Sequence, residues 1–253
     1  MPDGTSNTKS DSMYLSLVIP AYNEATRIGD TLAGTAAYFA KQSYEAEIIV
    51  VDDGSSDSTS EIVNAFAKTS SVPLLLETLP ENRGKGYAVR TGMLQRASGR
   101  YRFYYDADGS TPIEELNRCP ALFEAGADII IGSRALPDSV IEIRQAWYRE
   151  YMGRCYNGLE KMLGVTSFKD TQCGFKGFTE EAAKRCFSRQ TIDRFSFDAE
   201  LLFIAKKQGL CIKELAVRWL NSPQSRVNPL TDASRMFLDL LIIRANEFMG
   251  RYR

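Results

Sequence analysis

The 253-residue chain carries 31 basic and 32 acidic side chains, a formal net charge of −1, so nothing electrostatic points to nucleic acid as a partner. Apolar residues make up 44% and charged residues 25%, the balance of an ordinary globular protein long enough to bury one sizeable core. Five cysteines (Cys119, Cys155, Cys173, Cys186 and Cys211) are odd in number and widely spaced, which argues against a disulfide framework or a zinc site and for a reducing, cytoplasmic setting.

Residues 1–12 are polar, contain no signal peptide pattern and are expected to be a disordered tail. Leu15–Pro20 then reads as a buried strand ending at Ala21-Tyr22-Asn23-Glu24, followed by a helical pattern over Ala25–Gln42. Glu47–Val51 is a second apolar run, closed by Asp52-Asp53-Gly54-Ser55, with Asp57 or Ser58 capping a helix to about Lys68. Leu74–Leu79 is a third strand and Lys85–Ala97 a third helix. Arg102–Tyr105 is a fourth strand, ending in Asp106-Ala107-Asp108. Pro112 opens a helix over Ile113–Glu124, and Asp128–Gly132 is a fifth strand stopping at Ser133-Arg134. This alternation predicts an α/β fold with a mainly parallel central sheet flanked by helices. The polar clusters after Ile19, Val51, Tyr105 and Ile131 all fall at strand carboxyl ends, where such sheets bind ligands.

The second half is less regular. Ile141–Met162 is expected to be one amphipathic helix, residues 172–179 a strand, and 180–187 and 198–208 helices. Cys211–Trp219 alternates like a strand, and Thr231–Met249 forms a last helix. Along it Leu238, Leu241, Ile242, Ala245, Phe248, Met249 and Tyr252 make an apolar stripe opposite Arg235, Asp239, Asn246 and Arg253. That stripe packs on the core or docks on a membrane surface. No apolar run is long enough to span a bilayer.

Two carboxylates flanking one residue, Asp106 and Asp108, suit a hard divalent cation, Mg²⁺ or Mn²⁺, that shares its coordination with phosphates and water. The alternative is a solvated turn. Asp52 and Asp53 suit a base or ribose hydroxyl. Asn82-Arg83-Gly84-Lys85-Gly86, at a helix start, suits a diphosphate. The stretch is neither a Walker A loop nor a dinucleotide fingerprint.

Taken in order, Pro20-Ala21-Tyr22-Asn23-Glu24, Val51-Asp52-Asp53-Gly54-Ser55, Asn82-Arg83-Gly84-Lys85-Gly86, Asp106-Ala107-Asp108 and Gly132-Ser133-Arg134 resemble the family-2 glycosyltransferases. Asp170-Thr171-Gln172-Cys173-Gly174-Phe175-Lys176 and Phe197-Asp198-Ala199-Glu200 resemble the polyprenyl-phosphate sugar synthases, the dolichyl-phosphate glucosyltransferase branch in particular. The likeness spans about residues 14–245 and implies a GT-A fold over residues 13–253. In that fold 13–134 would form the nucleotide-binding half and 135–253 the acceptor-side half.

By resemblance, Pro20, Tyr22, Glu24, Asp52, Asp53, Lys85 and Asp106 contact the nucleoside-diphosphate sugar, and Asp106 and Asp108 hold the metal. Gly109-Ser110-Thr111 fits the glucosyl branch, which favours UDP-glucose as donor.

The chain has no histidine, so the usual neutral-pH proton shuttle is missing. A hydroxyl acceptor would need a base, for which Asp170 or Asp198 is available. A phosphate acceptor is already an anion and needs cations instead, for which Arg134, Arg144, Arg149 and Arg154 are available. Asp108, Arg134, Asp170 and Asp198 are therefore the catalytic candidates, with Arg134 and Arg149 on the acceptor phosphate. The expected reaction is inverting, metal-dependent hexosyl transfer to a polyprenyl phosphate at a membrane surface. Transfer to a soluble hydroxyl, or a non-catalytic nucleotide-sugar-binding subunit, are the alternatives.

Overall fold

Continuous apolar runs become strands covered on both faces. The computed structural model describes residues 13–143, 147–220 and 231–253, and of 147–149 and 231–233 the backbone only. The strands are β1 (Leu15–Ala21), β2 (Ala46–Asp52), β3 (Leu74–Thr78), β4 (Tyr101–Tyr105), β5 (Ile129–Ser133), β6 (Val140–Ile143), β7 (Phe175–Thr179), β8 (Ile212–Ala216) and β9 (Arg218–Leu220). The helices are α1 (Ile28–Phe39), α2 (Thr59–Ala67), α3 (Lys85–Thr91), α4 (Cys119–Glu124), α5 (Trp147–Met162), α6 (Glu180–Phe187), α7 (Phe197–Lys207) and α8 (Thr231–Phe248).

One seven-stranded sheet has the order β3-β2-β1-β4-β7-β5-β8, and β6 pairs with β9 in a separate ribbon. All pairings in the large sheet are parallel except those of β7, which runs antiparallel between β4 and β5. Alternate residues of β1 serve opposite faces: Leu17 and Ile19 join α1, α2 and α4, whereas Val18 joins α3, α6, α7 and α8. This two-sided burial explains why the strands read as unbroken apolar runs.

Four expectations change on folding. The third helix is α-helical only to Thr91 and continues as a π turn over Gly92–Arg96, where a Cβ on Gly92 would meet Val18 Cγ1 at 2.4 Å. The helix expected over Ile113–Glu124 divides into a 3₁₀ segment, Ile113–Arg118, and α4. Pro120 within it lacks the N–H that a continuous helix needs. The long helix expected from Ile141 starts at Trp147 instead, because the β-branched run Val140–Ile143 pairs with β9. Cys211–Trp219 likewise splits between β8 and β9.

The last helix forms where expected, but turned. Leu240, Ile243 and Asn246 face the core, while Leu238, Leu241, Ile242, Phe248 and Met249 face outward. Asn246 is tolerated inside because its amide donates to Thr191 Oγ1 (3.0 Å) and to the Tyr252 hydroxyl (3.2 Å).

Candidate active site

The carboxyl ends of β1, β2, β4 and β5 lie on one edge, and strand order reverses between β1 and β4, which opens a crevice there. Because β7 is antiparallel, the loop before it, residues 170–174, is delivered to the same edge.

At the end of β1, Pro20 is buried in the strand and Tyr22 is exposed. Asn23 adopts φ +53° and its backbone N–H donates to Ser55 Oγ (2.8 Å). Glu24 is buried and held in a fork by Arg27, whose Nη2 donates to Oε1 at 2.7 Å. At the end of β2 both carboxylates turn inward. Asp52 accepts from the Ser55 N–H (2.9 Å) and from the Ser60 hydroxyl. Asp53 accepts from the N–H groups of Arg83 and Gly84, both at 2.8 Å. Asp53 thus braces the turn that starts α3. Gly84 there has φ +109°, and a Cβ would lie 2.5 Å from the Asp193 carbonyl oxygen, so only glycine fits.

That turn presents Lys85, whose Nζ reaches Asp106 Oδ1 at 2.6 Å. Burial acts to lower the ammonium pKa, but Asp106, Asp198 and Asp108 outweigh it and raise it. Asp106 and Asp108 are half-buried at the end of β4, and Asp108 accepts from the Ser110 N–H (3.0 Å). Burial and the neighbouring Asp106 charge push the Asp108 carboxyl up. Asp106 goes the other way: burial acts to raise it, but Lys85, Lys176 and Arg134 hold it below the ordinary range. Among the described residues no group of three or more His, Cys, Asp or Glu could hold a metal. Two carboxylates beside an exposed crevice fit a hard cation whose other ligands come from a diphosphate and water.

Asp170 and Asp198 are in a different state. Asp170 is buried and accepts from Arg134 three times, through backbone N (2.9 Å), Nε (2.7 Å) and Nη2 (2.9 Å). Burial acts to raise its pKa, yet Arg134 pulls it down to about 2. The Arg134 guanidinium also lies 5.4 Å from the Trp219 ring centroid. Asp198, in the first turn of α7, accepts from Lys176 Nζ (2.5 Å) and from the Tyr104 hydroxyl. Arg154 is solvated and lies 3.8 Å from Glu150. The Arg149 side chain and all of Arg144 lie outside the described residues.

Sequence reasoning assigned no role to Arg27, Lys176, Glu160 or Gly174. Lys176 is fully buried on β7, and its Nζ also donates to the Cys173 carbonyl oxygen (2.7 Å). Glu160 of α5 is fully buried too and accepts from Thr171 Oγ1 at 2.9 Å. Burial raises its carboxyl to about 7. The Gly174 carbonyl accepts from the Asp106 N–H (3.0 Å), and a Cβ on Gly174 would lie 1.9 Å from Asp106 Oδ2. A lysine in an apolar strand was the one readable signal, since such a cation needs a buried partner.

The family model of Glycosyl transferase family 2 matches residues 16–187. The chain is 35% identical over 254 residues to a dolichyl-phosphate beta-glucosyltransferase of Dictyostelium discoideum, covering 96% of this chain and 77% of that protein. To the protein of that name from Homo sapiens it is 34% identical over 260 residues, covering 96% and 79%. Among solved structures it matches glucosyl-3-phosphoglycerate synthase from Mycobacterium tuberculosis, crystallised with Mn²⁺, uridine diphosphate and glucosyl-3-phosphoglycerate. The TM-score is 0.62 at 18% identity, over 94% of this chain and 80% of that one. Mannosyl-3-phosphoglycerate synthase from Rubrobacter xylanophilus matches with TM-score 0.66 at 19% identity, over 94% and 75%. Sequence order, strand-edge geometry and these likenesses converge: the chain belongs to glycosyltransferase family 2 and is an enzyme of the GT-A fold.

Proposed function

We propose that the protein transfers glucose, with inversion, from UDP-glucose to the phosphate of a polyprenyl lipid, assisted by Mg²⁺ or Mn²⁺. One observation carries the choice of acceptor. Both carboxylates that could act as a base, Asp170 and Asp198, are buried counter-ions of Arg134 and Lys176. A carboxyl held near 2 is a feeble proton acceptor at neutral pH. A phosphate monoester arrives as an anion and needs none. The names of the relatives, dolichyl-phosphate beta-glucosyltransferases, agree with this reading.

On the donor side Asp106 and Asp108 would hold the cation, which supplies charge neutralisation at the leaving diphosphate. Lys85, now on Asp106, is placed to share that charge. Tyr22 and Glu24 at the β1 edge, with the Asp52 and Asp53 loops shaping the crevice floor, receive the nucleoside. Arg134 and Arg149 receive the acceptor phosphate. No helix among the described residues is long and apolar enough to cross a membrane; in this reading these residues meet the lipid at the cytoplasmic face of a bilayer.

The test is direct. Protein, Mn²⁺ and UDP-glucose incubated with polyprenyl phosphate should give a lipid-linked β-glucose, its anomeric configuration read by NMR. Calorimetric titration should show UDP binding more tightly than GDP. Tighter GDP binding, or an α-linked product, overturns the donor or the inverting assignment respectively.

A further inference from the structure

The outward face of α8 stays exposed among the described residues, and its chemistry is specific. Phe237, Leu238, Leu241, Ile242, Phe248 and Met249 form a strip along the helix, all more than a third exposed and Phe248 at 94%. A surface helix ordinarily turns such a stripe to the core. Here Leu240 and Ile243 already fill that role on the opposite side. The helix therefore has two apolar faces, and among the described residues only one is buried.

Charge around the strip is one-sided. At 100° per residue, Arg235 and Arg244 border it on either flank, and both are exposed, as are Arg251 and Arg253 beyond the helix end. The two acidic groups of the helix with described side chains are drawn toward the protein. Asp239 is half-buried near Ser196 and Arg194, and Glu247 pairs with Lys207 and, at 2.5 Å, with Arg244.

The placement of α8 ties the strip to the reaction. Asp239 lies near Ser196, just ahead of Asp198, and Glu247 meets Lys207 at the far end of α7. The two helices run side by side in the same direction, so the first turns of the strip lie at the active-site end.

We infer that the outward face of α8 is the surface by which this enzyme docks on a bilayer carrying anionic headgroups. Its apolar strip enters the headgroup–acyl boundary, and the flanking arginines meet lipid phosphates. The identity of the occupant rests on the lipid-phosphate acceptor proposed above, because an acceptor with a long hydrocarbon tail is held at a bilayer and the site must come to it. A second copy of the chain could also cover an apolar face, but the exposed arginines that flank it and follow the helix end would repel their counterparts across a two-fold axis.

The experiment compares the full chain with a variant carrying Leu241→Ser, Ile242→Ser and Phe248→Ser. All three positions are exposed, so the thermal midpoint should stay unchanged. Both proteins are sedimented at low salt with phosphatidylcholine vesicles, with or without phosphatidylserine. They are then assayed on a short-chain, water-soluble prenyl phosphate and on a long-chain one in vesicles. The native chain should pellet with phosphatidylserine-containing vesicles, and the variant should lose about tenfold or more in vesicle affinity. Turnover of the short-chain acceptor should match between the two, and only turnover in vesicles should fall. Native protein that stays in the supernatant overturns the inference. So does a variant that pellets equally well, or one whose only change is dimer to monomer on gel filtration. Failure of the acceptor reading looks different: vesicle binding intact, with no transfer to either prenyl phosphate.

Discussion

The site edge carries two pairs of carboxylates in opposite conditions. Asp106 and Asp108 stand half-exposed at the end of β4, bonded to the Lys85 ammonium and a backbone N–H. Asp170 and Asp198 lie sealed beneath the surface, Asp170 gripped by the partly exposed Arg134 and Asp198 paired with the fully buried Lys176. The first pair keeps coordination to offer, whereas the second has spent its own on Arg134 and Lys176. The difference assigns the labour. In the function proposed above, the donor side would bind charge that arrives with a ligand, and the acceptor side would position a guanidinium and a loop without moving a proton.

The largest expected effect comes from breaking the sealed pair. Lys176→Met strands the Asp198 carboxylate in the interior and should cost about 3–5 kcal/mol of stability, read as a fall in denaturant midpoint. Adding Asp198→Asn should restore much of it. A sealed pair that tolerates the single change without loss is not the counter-ion described here.

The open pair should respond in activity and not in stability. Asp108→Asn is expected to lower transfer on the order of 10²- to 10³-fold and to abolish metal-dependent donor binding by calorimetry. Its thermal midpoint should hardly move. Gly174 connects the two regions, since its missing Cβ leaves room for Asp106. Gly174→Ala should cost about 1–3 kcal/mol through overpacking and weaken donor binding as Asp106 is displaced.

The smallest effect is on pH. Glu160 has a folded pKa raised from 4.5 to about 7 by burial, so the folded protein keeps a proton that the unfolded chain has lost. Stability should therefore fall as pH rises from about 4.5 to about 7 and stay flat above. Glu160→Gln removes that slope and should be more stable than the native chain at pH 8. Parallel stability curves for the two proteins across that range contradict the assignment.

The same contrast decides what could be read from the sequence. The parallel half was legible, because each apolar run ends in a polar cluster at the ligand edge and Asp106-Ala107-Asp108 stands in the open. The acceptor half was not, because its logic is pairwise across the sheet. Nothing local tells that Asp198 belongs to Lys176, 22 residues earlier, or Asp170 to Arg134, 36 residues earlier. Both aspartates look equally fit as bases until the fold supplies their partners. Val140–Ile143 was misread for a related reason: its strand partner, β9, lies far along the chain. The α8 stripe was found by periodicity, but periodicity gives a face without a direction, and only Leu240 and Ile243 in the core show that the stripe points out.

The central claim is that the acceptor is an anion that needs no protein base. It is tested most directly by presenting labelled UDP-glucose, with Mn²⁺, to a polyprenyl phosphate and to the free polyprenol of the same chain length. The account predicts that label passes to the phosphate and not to the alcohol. Transfer to the alcohol at a comparable rate would contradict it, and would make one of the sealed carboxylates a base after all.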